Sequence, residues 1–211
     1  MIHVEKFTFN PFQENTYILY DQSKECVIID PGCFDKNEEQ LVSDFVALNE
    51  LKVVKLFNTH AHIDHILGNA FVKARYGVDL YGYSSEFPML DLANRSAKMY
   101  QIPYTESPPI DVTKKEGDKF SFGNSTLEII YVPGHAPDHL VLFHPQQKLL
   151  IGGDVLFNGS IGRTDLPGGE HDLLIKNTQE KIFTLPDETI VYSGHGPETK
   201  VGIERRTNPF F

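Results

Sequence analysis

Cysteine is scarce in this chain. Cys26 and Cys33 are the only two in 211 residues, too few for a disulfide framework, and they form no C-x-x-C pair. Cys26 lies in an apolar run and is expected in the core, whereas Cys33, after Pro31-Gly32, is expected to be partly exposed. Long apolar runs are also missing: nothing approaches about 18 uninterrupted apolar residues, so no membrane span is expected. The opening Met1-Ile2-His3-Val4-Glu5 has neither the basic nor the apolar region of a secretion signal. Basic charge is in short supply. Lys and Arg number 19 against 29 Asp and Glu, a formal net charge of -10, which argues against nucleic acid held on a general basic surface. These absences lead to an expected cytoplasmic protein with no nucleic-acid partner and no membrane span.

What is present is a globular pattern, with 40% apolar and 23% charged residues in a length that suits one large domain. Thr16–Tyr20 and Glu25–Asp30 read as strands joined by the turn Asp21-Gln22-Ser23-Lys24. Residues 35–51 carry Leu41, Phe45, Val46, Leu48 and Leu51 at nearly helical spacing behind an acidic start. A strand over 53–57, a helical stretch over 66–76 stopped by Gly77, and a short strand over 79–83 follow. Residues 84–115 are the least regular part, expected as a loop with one helical stretch or as a lid. Strands are then expected over 119–122, 126–132, 140–144, 148–152 and 189–193, with helices over 171–185 and 197–206, the last begun by Pro197.

The chemistry concentrates in Asn58-Thr59-His60-Ala61-His62-Ile63-Asp64-His65. Three imidazoles and a carboxylate sit on the turn leaving a strand, where open α/β sheets place their sites. Neutral imidazole nitrogen and carboxylate oxygen suit zinc, iron or manganese. His60 and His62 share one side of an extended segment, while Asp64 and His65 enter a helix and can be aimed at a neighbouring point, so one stretch can serve two metals. Three further strands end in small residues followed by a ligand type: Gly134-His135, Gly153-Asp154 and Gly194-His195. Small residues let the backbone turn tightly there.

In this order, His60-x-His62-x-Asp64-His65, Gly134-His135, Gly153-Asp154 and Gly194-His195 resemble the metallo-β-lactamase fold superfamily, and within it the short, single-domain glyoxalase II-like (hydroxyacylglutathione hydrolase-like) hydrolases. Asn15-Thr16-Tyr17 and Asp30-Pro31-Gly32 resemble the family's opening strands, so the resemblance spans nearly the whole chain. It implies an α/β fold, a four-layer αββα sandwich, as a single domain over residues 1–211 with a lid or insertion at about 84–115. It implies one metal on His60, His62 and His135, a second on Asp64, His65 and His195, and Asp154 bridging both. Two divalent ions about 3.5–4 Å apart share a hydroxide and lower its pKa. The implied cofactors are two divalent metals, zinc first, with iron and manganese compatible.

The implied activity is hydrolysis of a thioester such as S-lactoylglutathione by a metal-bridging hydroxide, with Asp64 also taking up a proton. No separate Ser or Cys nucleophile motif is present. Arg163, in the loop Gly159–Gly169, is expected to meet an acidic part of the substrate, or else to pair with Asp165. His139 is expected behind the ligands and His171 at the start of a surface helix. Departures from the family are informative. The longer glyoxalase II enzymes have a tyrosine where Asp165 stands, another where Pro197 stands, and a C-terminal helical domain beyond the length of this chain, which puts glutathione recognition in question. The common two-zinc β-lactamases lack the adjacent Asp-His pair and use a late cysteine where Asp154 stands, which argues against penicillin-type substrates. A second reading is an iron persulfide dioxygenase, which shares the fold and a Gly-Arg-Thr-Asp stretch like 162–165, and holds one iron on residues matching His60, His135 and Asp154.

Overall fold

The computed structural model describes residues 1–211. Met1–Thr113 with Ser121–Ser125 form one compact unit, and Lys114–Phe120 with Thr126–Phe211 form another.

The first unit is built on a six-stranded sheet. Its strands are β1 (His3–Phe9), β2 (Glu14–Tyr20), β3 (Glu25–Ile29), β4 (Lys52–Phe57), β5 (Leu80–Gly82) and β6 (Val112–Thr113), adjacent in that order. β1, β2 and β3 run antiparallel through short turns, and β3 to β6 run parallel. Parallel neighbours need a crossover of a dozen or more residues. Helix α1 (Lys36–Leu48) supplies it between β3 and β4, and α2 (Ile63–Ile66) with α3 (Asn69–Tyr76) supply it between β4 and β5. Helix α4 (Met89–Tyr100) does so between β5 and β6, so residues 84–115 contain one helix and the two-residue strand β6 in otherwise irregular chain.

Local chemistry explains the helix ends. Asp35 caps α1 by accepting from the backbone N–H groups of Asn37 and Glu38, relieving two of the unpaired donors of its first turn. Gly77 ends α3 in the left-handed conformation at φ 65°, where a Cβ would be strained. The buried face of α1 differs from the expected one. Val42 and Val46 are buried and Phe45 packs against the same core, whereas Leu41 and Leu48 are 52% and 83% exposed. The helical stretch expected over 66–76 is two helices, broken at Leu67-Gly68. Cys33 is buried rather than partly exposed, with its Sγ against Gly68, and burial raises its thiol pKa.

The other sheet has the order β14-β13-β10-β9-β8-β7. Its strands are β7 (Lys119–Phe122), β8 (Ser125–Tyr131), β9 (Leu140–His144) and β10 (Leu149–Gly153), then, past a small hairpin of β11 (Leu156–Phe157) and β12 (Ser160–Ile161), β13 (Ile190–Ser193) and β14 (Thr199–Lys200). β10 and β13 are parallel, joined through α5 (His171–Asn177) and a wider π-type turn over Thr178–Ile182. The terminal helix α6 is Val201–Thr207. It does not start at Pro197, because residues 199–200 first pair with β13, and only then are the next backbone donors released to the helix.

Each unit has its own apolar core. Ile18, Ile28, Val42, Leu56, Val72 and Leu80 pack together in the first, and Val132, Val141, Leu150, Leu174, Val191 and Val201 in the second. No helix is long and apolar enough to cross a membrane.

Asp21 closes the β2–β3 turn in the first unit. Its buried carboxylate accepts from the N–H and hydroxyl of Ser23, the N–H of Asn124 and the hydroxyl of Ser125. Burial disfavours the ion, but these bonds outweigh it and hold the carboxyl down at about 2, against 3.8 for an ordinary aspartate. A depressed folded-state pKa gives stability that is complete above about pH 4 and lost as pH falls toward 2, here about 2 kcal/mol. The gap in urea-denaturation stability between wild type and Asp21→Asn is therefore expected to narrow from pH 4 down to pH 2. A gap that stays constant over that range would remove this role.

Candidate metal centre

The first unit brings its four expected ligands together at the C-terminal ends of two parallel strands. β3 and β4 are in register to Ile29 opposite Phe57, and the Asp30 N–H donates to the Phe57 carbonyl. The chain after β3 therefore lies beside the chain after β4. The rings of His60 and His62 stand 4.8 Å apart, those of His60 and His65 4.2 Å, and His65 Nε2 lies 3.7 Å from Asp64 Oδ2. His60 and His65 are fully buried, while His62 and Asp64 retain some exposure.

One residue not singled out in the sequence as part of the site orders this cluster. Asp30, buried and held at φ 48°, accepts from the N–H of Thr59 at 2.7 Å and from the Thr59 hydroxyl at 2.6 Å. It also accepts from Nδ1–H of His65 at 3.1 Å. Because the Thr59 hydroxyl proton is spent on Asp30, its oxygen is left to accept from Nδ1–H of His60, 3.0 Å away. Both imidazoles are thus fixed as Nδ1–H tautomers, with the lone pair on Nε2, as a metal ligand requires. The signal in the sequence was an aspartate closing an apolar strand before Pro-Gly.

Behind His65 sits Glu14, also buried, with Oε1 3.9 Å from His65 Nδ1 and Oε2 accepting from the Thr16 hydroxyl. Burial pushes its carboxyl well above the usual range. Asn10 Nδ2 donates to the carbonyls of Gly32 and Asp64, tying the two loops together.

The second unit gathers the other three. Parallel pairing of β10 and β13 sets Gly153 beside Ser193, and the Gly194 N–H donates to the Gly153 carbonyl. Asp154 and His195 therefore leave adjacent strand ends. Asp154 Oδ2 lies 3.4 Å from His135 Nε2 and 3.5 Å from His195 Nε2. His135 donates from Nδ1 to the Arg163 carbonyl at 2.7 Å, so its Nε2 lone pair faces the Asp154 carboxylate. Two acceptors face each other there, an arrangement a cation relieves, so the donor set fits a metal. His139 lies behind the ligands, as expected, accepting the Asp154 N–H on Nε2. His171 begins α5 and is exposed. Arg163 makes a bidentate pair with the exposed Asp165, whose carboxyl it holds at about 2.

Residues 9–195 match the sequence profile of the Metallo-beta-lactamase superfamily. The chain belongs to this superfamily. It has the metallo-β-lactamase fold, and it is a metallo-hydrolase of a family that binds divalent metals. A curated relative, hydroxyacylglutathione hydrolase GloC of Haemophilus influenzae, is 33% identical over 99% of this chain and 98% of its own length. Among solved structures, BLEG-1, named as a B3 metallo-β-lactamase, superposes with a TM-score of 0.90 at 35% identity, covering 99% of both chains. The protein TTHA1623, solved in a di-iron-bound form, gives 0.85 at 33% identity over 98% of this chain and 100% of its own.

Gly162 makes the close approach that seats this loop. A Cβ on it would fall 1.9 Å from the Asp154 carbonyl oxygen and 2.9 Å from His135 Nδ1. Gly162→Ala is therefore expected to lose about 1–3 kcal/mol of stability through overpacking, and to weaken metal uptake because it would push on the Asp154 backbone and the His135 ring, both candidate ligands. Wild-type denaturation and metal content in the variant would show that the loop yields freely.

Proposed function

We propose that the chain is a dinuclear metal hydrolase that cleaves a thioester, with an S-lactoylglutathione-like compound as the candidate substrate. One ion would be held by His60, His62 and His135, and the other by Asp64, His65 and His195, with Asp154 serving both. The observation that carries this reading is Asp154, whose one carboxylate oxygen stands within 3.5 Å of the Nε2 atoms of both His135 and His195. The di-iron form of TTHA1623 supports two ions, and the name of GloC supports a hydroxyacyl thioester. Zinc, iron and manganese all suit the His and Asp donors.

Divalent ions on these residues would supply Lewis-acid activation of water near neutral pH and stabilisation of negative charge at a substrate carbonyl. The protein supplies the rest. Asp64, partly exposed and with its backbone held by Asn10, offers a carboxylate that can accept a proton at its edge. The buried carboxylate of Asp30 keeps His60 and His65 in the ligating tautomer throughout. Arg163 divides its work: its carbonyl orients His135, and its exposed guanidinium can leave Asp165 for an acidic group of the substrate. That exchange costs little, since exposed ion pairs are worth about 0–1 kcal/mol. Neither tyrosine of the longer glyoxalase II enzymes is present, so Arg163 is the candidate for recognising the substrate's charge.

The deciding experiment is elemental analysis of protein purified without added metal, beside hydrolysis assays on S-lactoylglutathione and on a β-lactam. About two ions per chain with thioester turnover support the proposal. Faster turnover of the lactam would move the substrate class toward that in BLEG-1's name. One iron per chain, no hydrolysis, and oxygen uptake with glutathione persulfide would replace it with the dioxygenase reading. Asp154→Ala is expected to lose most of the metal and nearly all turnover, and full occupancy in that variant would defeat the shared-ligand role. Arg163→Ala is expected to raise KM for the acidic thioester more than it lowers kcat, and an unchanged KM would remove Arg163 from binding.

A further inference from the structure

Helix α2 carries Asp64 and His65 yet has only four residues, Ile63–Ile66. A helix this short leaves nearly all of its carbonyls without intrahelical partners, so its place must be set from outside. Apolar contact does part of this: Ile63, Ile66 and Leu67 pack with Ala93 and Ala97 of α4. Packing of this kind resists separation but does not fix a backbone to the tenths of an ångström that metal ligation needs.

A chain of buried amides provides the directional part. Asn58 Nδ2 donates to the His65 carbonyl at 3.1 Å and to Asn69 Oδ1 at 3.3 Å. Asn69 Nδ2 donates back to Asn58 Oδ1 at 2.7 Å and on to Ser107 Oγ at 2.8 Å. The Ser107 hydroxyl donates to the Pro108 carbonyl, and its N–H donates to the Tyr104 hydroxyl at 2.9 Å. Asn58, Asn69 and Ser107 are 4%, 0% and 4% exposed. Away from water, a broken link leaves an unsatisfied amide rather than a hydrated one. The relay starts in the irregular segment and ends on the backbone of His65, whose ring is fixed from the other side by Asp30.

We propose that Asn58, Asn69 and Ser107 are positioning residues for His65, so that residues 104–108 set how tightly the ion on Asp64, His65 and His195 is held. This rests on the dinuclear reading above. The segment is then a strut for a metal ligand at this end, not a freely opening cover. The ion on His60, His62 and His135 should be less affected, because His60 is held through Thr59, outside the relay.

The test is a zinc titration against a competing chelator for wild type, Ser107→Ala, Ser107→Thr and Asn69→Ala, with cobalt(II) absorption spectra and thermal unfolding of the metal-free proteins. Ser107→Ala is expected to keep one ion at wild-type affinity and bind the other about tenfold more weakly, as loss of support behind a ligand does. Its cobalt spectrum should change, its metal-free unfolding midpoint should fall modestly because Asn69 Nδ2 loses a buried partner, and Ser107→Thr should restore both the midpoint and the second ion. Asn69→Ala should show the larger effect; should it fail to fold, Ser107→Ala and Ser107→Thr carry the test. Two ions at wild-type affinity in Ser107→Ala would overturn the proposal, as would equal weakening of both ions with a matching loss of metal-free stability. A wild type that takes up a single ion would instead defeat the dinuclear reading, and the relay's assignment with it.

Discussion

The buried carboxylate of Asp30 is the constraint on which the histidine-rich loop after β4 depends. It closes β3, stands beside the loop after β4, and receives three hydrogen bonds from Thr59 and His65. A buried carboxylate without such donors would be costly, so these bonds hold the loop in place and are held by it. The same bonds decide where the imidazole protons sit. Protonation state, ring orientation and loop conformation are thus set together by one side chain that need touch no metal itself.

Much of this was legible in the sequence, and the reasons differ by element. The strands from β2 to β4 and from β8 to β10 could be read because buried strands are dense in β-branched and apolar residues between turn formers. The candidate ligand residues could be picked out because His and Asp recur after such strands. What could not be read depends on pairing between distant segments. Residues 199–200 became a strand because β13 offered an open edge, which displaced the start of the last helix from Pro197 to Val201. Cys33 became buried because the loop at Gly68 folds over it. Leu41 and Leu48 on α1 looked like core but are exposed, since apolar spacing gives the existence of a buried stripe more reliably than its phase.

The supporting residues were the hardest to see. Asp30 was visible only as a strand-ending aspartate, and Asn58 and Asn69 were indistinguishable from turn and cap residues. Their importance arises from burial, which no single-residue pattern reports. A half-exposed asparagine is replaceable by water, whereas a fully enclosed one must be matched donor for donor. The ligands announce themselves by residue type, and the groups that aim them are recognised only by what surrounds them.

Arg163 illustrates how the fold separates two demands. Its carbonyl binds His135, a contact that any residue at that position supplies equally, while its guanidinium points outward to Asp165. Substitutions at 163 can therefore alter the exposed charge and shape of the loop without touching the backbone bond that orients His135. The loop thus keeps the bond to His135 on its backbone and exposes to solvent the side chain that sequence change can alter freely.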